Sequence, residues 1–358
     1  MNNNKVLVGM SGGVDSSVCA WLLQEAGYEC TGVSMKLFHG MLGGERVESR
    51  CCSVDDIEDA RAVCRTLGIP FHVFNFQDEF DTQVLRRFVN TYEQGRTPNP
   101  CVDCNRYIKF AKFLERALQL GFNYIATGHY ARIERLQNPS GEGYALRKGI
   151  DPSKDQSYVL YGLTQHQLAH TLLPLGNYTK TQIREIAERH GLVTAGKKDS
   201  QDLCFVQNKD YAAALSALSS NEHPPGEFID EAGNTLGRHK GIINYTIGQR
   251  KGLGIASAQR LYVIEKRAQD NKIVLGPEDK LQQPQLRANE FNWILQNPPR
   301  QLRAKAMVRY NKPEAWAGIS VSDEDVQIVF DEPQTSISPG QSVVLYQDDY
   351  VLGGGTIM

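Results

Sequence analysis

The sequence contains no apolar run approaching the roughly 20 residues that a membrane-spanning helix needs, which excludes such a span. Its opening, "MNNNKVLVGMSGG", lacks the apolar stretch and small-residue cleavage site of a secretory leader. Export is therefore not expected, and a reducing cytoplasmic compartment with no membrane partner is. In that compartment the eight cysteines are read as thiols rather than as disulfide staples. Neither the G-x-x-x-x-G-K-[ST] phosphate loop nor the G-x-G-x-x-G dinucleotide fingerprint is present, so the two commonest nucleotide-binding motifs are excluded. A second C-x-x-C pair that would complete a zinc site is missing too, as are internal repeats and low-complexity stretches.

What is present is a globular composition, 41% hydrophobic and 22% charged, in 358 residues. That length exceeds what one core usually fills, so two or three domains are expected. The net charge of −2 hides an uneven distribution: between Arg238 and Lys312 stand 15 Lys/Arg against 5 Asp/Glu. Basic charge gathered into one part of a chain fits a polyanion-binding face, or else a solvated face with no partner.

The first 130 residues or so alternate apolar strands with amphipathic helices. "KVLVGM" precedes a helix ending near Gly27, and "ECTGVSM" precedes a loop and a helix that opens at Ser53, with Asp56 three residues on, and stops at Gly68. "FHVFNF" precedes a helix over about 78–94, and "IKFAKFLERALQLG" precedes "NYIATGH". This alternation implies a doubly wound parallel sheet, with binding sites at the carboxyl ends of its strands. Beyond Gly191, glycine and proline become frequent and short alternating runs take over, first a hairpin in "LYVIEKRAQDNKIVLG" and then four strands after residue 285. The reading is α/β, with a catalytic domain over 1–207, a small central mixed or β domain over 208–283, and a C-terminal antiparallel β-barrel-like domain over 284–358.

Chemistry concentrates first in "GMSGGVDSS", Gly9 to Ser17, between a strand and a helix. Small residues there let successive backbone N–H groups converge on an anion, with the positive end of the helix dipole behind them. The stretch resembles the pyrophosphate loop of the ATP pyrophosphatase superfamily. That resemblance implies an ATP site formed by Gly9, Met10, Ser11, Gly12, Gly13, Val14, Asp15, Ser16 and Ser17, with Asp15 helping to place a magnesium ion. Read without it, the turn is only a tight connection.

"GRTPNPCVDCNRYIKF", "ATGHYAR", "KDQSYVLY", "KKDSQDLCFV" and "YTIGQRKGLG" follow in that order. Together with the opening turn they resemble the bacterial and organellar tRNA 2-thiouridylase family over nearly the whole chain. The resemblance implies tRNA as partner, its wobble uridine as target, ATP and magnesium as cofactors, and a persulfide donor protein. Carried over by position, it makes Cys104 the nucleophile and Cys204 the persulfide carrier. It brings Met35 and Gly128 to the adenine nucleotide, Asn99, Pro100 and Cys101 to the target base, and His129, Lys154, Asp155, Gln156, Arg309, Tyr310 and Gln341 to the tRNA. Lys197, Lys198 and Arg106 are the cations expected to favour the two thiolates. A monomer is expected.

One position departs from the pattern. Many members carry Asp where this chain has Cys101, so Cys101, Cys104 and Cys204 offer three thiols, enough for a [4Fe–4S] cluster with one open iron, as an alternative to the persulfide route. Two further readings share the opening turn: a ligase or amidotransferase acting on a small metabolite, and a non-catalytic nucleotide-sensing RNA-binding module. Neither gives Cys104 and Cys204 a task. Cys51 and Cys52 read as loop thiols, and Cys19, Cys30 and Cys64 as small core residues.

Overall fold

The computed structural model describes residues 4–42, 45–48, 53–138, 141–197, 203–206, 210–310, 312–335 and 337–358. Cys51, Cys52 and Lys198 lie outside them.

Strand β1 (Lys5–Gly9) carries three consecutive fully buried apolar residues, Val6, Leu7 and Val8. A strand apolar on both faces has to be covered on both faces. Its side chains alternate accordingly: Leu7 belongs to one core, with Val33 and Ile125, while Val6 and Val8 belong to a second, with Val18, Cys30 and Ala126. Around β1 the sheet runs in the order Phe71–Asn75, β2 (Glu29–Lys36), β1, Tyr124–Ala126, Thr171–Leu172, every neighbouring pair parallel. The expected doubly wound layer is therefore present.

Its helices follow from local chemistry. Helix α1 (Val14–Glu25) buries Val14, Val18, Cys19 and Leu23. In helix α2 (Val54–Leu67) the Ser53 Oγ accepts the Asp56 N–H at 3.1 Å and donates to the Asp56 carboxylate at 2.6 Å, holding the N-terminus. Gly68, at φ +67°, ends it, and the Ile69 N–H turns back to the Cys64 carbonyl. The helix expected near 78–94 runs as Gln77–Phe80, a π-helical turn Asp81–Leu85 and Arg86–Glu93. Its successor runs as Pro100–Asp103, a longer π-helical segment Cys104–Lys112 and Phe113–Gln119. Cys19, Cys30 and Cys64 are core residues, and burial raises each thiol, to about 11 for Cys30 and about 12 for Cys64.

The central part holds the helix Tyr211–Leu218 and a mixed four-stranded sheet, ordered Thr235–His239, Gly226–Ile229, Lys272–Gly276, Tyr262–Arg267, in which the last two strands form the expected hairpin. The C-terminal part is a closed six-stranded antiparallel barrel. Gln283–Trp293 pairs with Val326–Gln334 through its first half and with Tyr350–Ile357 through its second, which closes the ring. A register shift between Asn289 and Asn292 lets the strand change partner.

One element was not expected. Ala131–Asn138 and Gly141–Lys148 form a hairpin within the first domain that continues the barrel sheet, pairing Arg147 with Tyr350 and Leu146 with Val351. Arg132 and Arg147 both reach Asp349, at 2.6 and 2.7 Å, and Arg147 and Tyr350 both reach Glu134. The Tyr158 hydroxyl donates to the Ser342 carbonyl, and the Thr97 N–H to the Pro339 carbonyl. The barrel is thus fastened to the parallel α/β layer beside residues 95–99.

Candidate active site

The cradle stands at the carboxyl end of β1. Met10 prolongs the strand by donating its N–H to the Val33 carbonyl. Gly12 then turns at φ +70°, and a Cβ there would lie 2.2 Å from the Asp56 carbonyl oxygen, so only glycine fits. Gly13 is the N-cap of α1. The serine hydroxyls shape the loop from behind. Ser16 Oγ accepts the Ser11 N–H and donates to the Gly13 carbonyl, while Ser17 Oγ donates to that same carbonyl at 2.8 Å and accepts from Thr194 at 2.9 Å. With both side chains so engaged, the anion-binding capacity lies in the first-turn amides of α1, which have no acceptor within the helix.

Asp15 is held on two sides. Lys180 Nζ donates to both of its carboxylate oxygens, at 2.7 and 2.8 Å, and the Tyr130 hydroxyl donates to one of them at 2.6 Å. Lys180 is buried at the start of the helix Lys180–Arg189. Asp15 is the acid expected to help place magnesium, and a cation there has to share it with Lys180. Magnesium tolerates this, because it usually takes one or two carboxylates and completes its shell with phosphate oxygens and water. Among the described residues no group of three or more His, Cys, Asp or Glu side chains is arranged to hold a metal ion. Cys101, Cys104 and Cys204 are all described, so the three-thiol arrangement that an iron–sulfur cluster would use is absent from this conformation.

Gly128 touches the cradle directly, since a Cβ on it would meet the backbone of Asp15 and Ser16 at 2.9 Å. Met35 reaches across Gly9, where a Cβ would stand 3.3 Å from its terminal methyl. His129 is buried beneath Phe110, with its Nδ1 2.7 Å from the Thr127 hydroxyl. Burial, aided by Lys109, holds its pKa well below the usual histidine value, so the ring is neutral at physiological pH.

Cys104 opens the π-helical segment and is buried; Cys101, one turn earlier, is exposed. π-Helical turns recur at functional sites. Asn99 caps this helix, its side chain accepting the Val102 N–H, and Pro100 occupies the first helical position. Cys204 is half-buried and packs on the same hydrophobic cluster that contains Cys104. Its neighbour Phe205 sets its ring against Phe80 and Phe88, at 6.1 and 5.2 Å. Of the cations expected to favour the thiolates, Lys197 is committed elsewhere: its Nζ lies 2.5 Å from Asp56 and 2.7 Å from Asp59. Arg106 lies over the ring of Tyr107.

Several residues that the resemblance assigns to tRNA hold the framework in place here. Asp155 accepts from the Gly149 and Ser157 N–H groups and from the Ser157 hydroxyl, and burial raises its pKa. Gln156 accepts the Tyr130 N–H. The exposed Tyr310 donates to the Asp155 carbonyl, with Arg309 exposed beside it and Lys154 half-buried. Gln341 spans from the barrel to the Thr97 and Pro98 carbonyls. Sequence reading missed Lys180, Tyr130 and Thr194, whose partners lie more than 100 residues away in the chain.

A parallel α/β layer with a phosphate cradle, joined to a mixed sheet and a closed barrel, defines a HUP-type enzyme architecture with two appended β modules. Residues 4–208 match the tRNA methyl transferase HUP domain, 218–277 the tRNA methyl transferase PRC-barrel domain and 283–357 the Aminomethyltransferase beta-barrel domain. The tRNA-specific 2-thiouridylase MnmA of Acetivibrio thermocellus is 47% identical over all of both chains, and that of Lachnoclostridium phytofermentans 48% identical over 99% of each. Among solved structures, the NMN synthetase of Francisella tularensis shares 16% identity, with a TM-score of 0.34, over 60% of this chain and 75% of that one. The chain belongs to the MnmA family of tRNA-specific 2-thiouridylases.

Proposed function

We propose that this protein is an ATP-dependent tRNA-uridine 2-sulfurtransferase acting on the wobble uridine. The observation that carries the reading is the phosphate cradle built around Gly12 at the carboxyl end of β1, in a chain that also carries Cys104 at the start of a π-helical segment and a half-buried Cys204.

The oxygen on C2 of uracil is a poor leaving group. It attacks the α-phosphorus of ATP, the bond to pyrophosphate breaks, and the base carries AMP on that oxygen. The first-turn amides of α1 hold the phosphates as charge moves onto the departing pyrophosphate. Asp15, shared with Lys180, is the carboxylate that would help to hold magnesium, whose chemistry there is to neutralise phosphate charge. The terminal sulfur of a Cys204 persulfide then attacks C2 and AMP leaves. The Cys104 thiolate attacks the Cys204 sulfur, releasing 2-thiouridine and leaving a Cys104–Cys204 disulfide. A thiol reductant supplies the two electrons that reopen it, and a persulfide-bearing donor protein reloads Cys204.

In this reading Asn99, Pro100 and Cys101 face the target base, and Lys154, Arg309 and Tyr310 face the tRNA. Gln341, Asp155, Gln156 and the neutral His129 position the surfaces that touch it. The working divisions are 1–207, 208–283 and 284–358, and the protein acts as a cytoplasmic monomer. The test is mass spectrometry of unmodified tRNA incubated with the protein, ATP, magnesium and a persulfide source. Replacement of one oxygen by sulfur at a single uridine, with equimolar AMP, is expected; Cys104→Ser and Cys204→Ser should each abolish it while ATP binding persists. Undiminished thiolation in both variants refutes the scheme.

A further inference from the structure

A polar cavity of about 360 Å³ lies at the seam between the catalytic layer and the barrel, bordered by Pro98 and Asn99. It exists only because the two parts dock closely. Gly340 of the barrel, at φ +89°, comes so near that a Cβ would stand 3.0 Å from Thr97 backbone atoms. Three guanidinium groups from separate segments border it: Arg87, Arg96 and Arg106.

Their compensation is incomplete. Arg87 faces Asp103 and Glu290, each at 3.6 Å, too far for a hydrogen bond, and its buried Nε has no hydrogen-bond partner among the described residues. Arg87 and Arg106 both lie over the ring of Tyr107, at 5.1 and 5.5 Å, so two like charges share one aromatic side chain. Arg96 is exposed, and neither it nor Arg106 has an ion pair within 4 Å among the described residues. Glu290 sits at φ +46° in the register shift where its strand changes partner, a conformation that costs a non-glycine residue energy and recurs where a side chain is held for a task. Crowded guanidiniums with loose carboxylate partners are the arrangement that an incoming anion completes.

We infer that this cavity is a subsite for an RNA phosphodiester flanking the target nucleotide, with Arg87, Arg96 and Arg106 as its cationic wall. The inference rests on the proposed function, which puts the target base at Asn99, on the border of the same cavity. It extends that reading by fixing where the adjacent strand runs.

The test is equilibrium binding of full-length protein to unmodified tRNA across a potassium chloride series, for wild type, Arg96→Ala, Arg106→Ala and the double variant. Each single change should weaken binding about five- to tenfold near 0.1 M salt and flatten the plot of log affinity against log salt by about 0.7, with ATP affinity unchanged. Lys5→Ala, at the opposite end of β1 from the cradle, serves as control and should shift nothing. Arg96 is exposed, so its variants test the site even if Arg106→Ala fails to fold: Arg96→Gln should weaken binding and Arg96→Lys restore most of it. A folded Arg96→Gln variant with wild-type affinity and salt slope overturns the subsite. Wild-type protein that binds no tRNA and forms no 2-thiouridine overturns the proposed function instead.

Discussion

Gly12→Ala is the sharpest probe of the cradle. At φ +70° an alanine costs about 1–2 kcal/mol in backbone conformation alone. Its methyl carbon would also stand 2.2 Å from the Asp56 carbonyl oxygen. Restoring ordinary contact means moving the loop or the start of α2 by about 1 Å, and Asp56 is held against that by the Ser53 cap and by Lys197. The total expected is about 2–4 kcal/mol of stability. If the proposed function holds and the reacting phosphate lies against this loop, a displacement of that size lowers the rate about 10²-fold. Gly13→Ala is the matched control: its φ is −99°, and its Cβ would meet nothing closer than the Ser11 hydroxyl at 3.5 Å. Its stability should stay within about 0.5 kcal/mol of wild type. Urea unfolding gives the stabilities, and single-turnover AMP formation on tRNA gives the rates. If Gly12→Ala unfolds at the wild-type midpoint and forms AMP at the wild-type rate, the loop is not clamped between β1 and α2, and the account of the cradle is wrong.

Further outcomes follow from the same geometry. Lys180→Met leaves Asp15 charged, with only Tyr130 as a described partner; a loss of about 2–4 kcal/mol is expected by urea unfolding, with ATP affinity altered, and an unchanged midpoint would refute the pairing. Thr194→Val removes one hydrogen bond to Ser17 and should cost about 1 kcal/mol in the same measurement. Burial raises Asp103 from 3.8 to about 6 despite Arg87, so the folded protein holds this proton more tightly than the unfolded chain. Its contribution to stability is complete below about pH 4 and is lost as pH rises to about 6, by up to about 3 kcal/mol; Asp103→Asn should flatten that interval of the stability–pH curve.

Local chemistry made much of the fold legible. Ser53, Asp56 and Gly68 announce the two ends of α2, and the apolar run of β1 announces a strand covered on both sides. The cradle is legible for the same reason, because its turn, cap and helix start lie within nine consecutive residues. The hairpin 131–148 escaped notice because its reason lies elsewhere, in a strand that begins 202 residues after Lys148. Lys180 escaped likewise, since nothing around it announces that its ammonium ends on Asp15, 165 residues earlier. Cys204 is legible as a thiol, but the seat of its neighbour Phe205 against Phe80 and Phe88 emerges only from packing. The approach of Glu290 to Arg87 likewise emerges only from the docking of the barrel, 203 residues further along the chain.

The hairpin that prolongs the barrel sheet makes the first and last thirds of the chain a poor place for scissors. A fragment ending near residue 282 would keep Ala131–Lys148 with one edge stripped of its partner and Tyr158 and Tyr161 facing water, a surface prone to self-association. The complementary fragment would lose Arg132 and Arg147 from Asp349 at the turn before its final strand. Anyone dissecting this enzyme into modules should therefore cut on either side of the central sheet and keep the two ends together, joined by a linker across the gap.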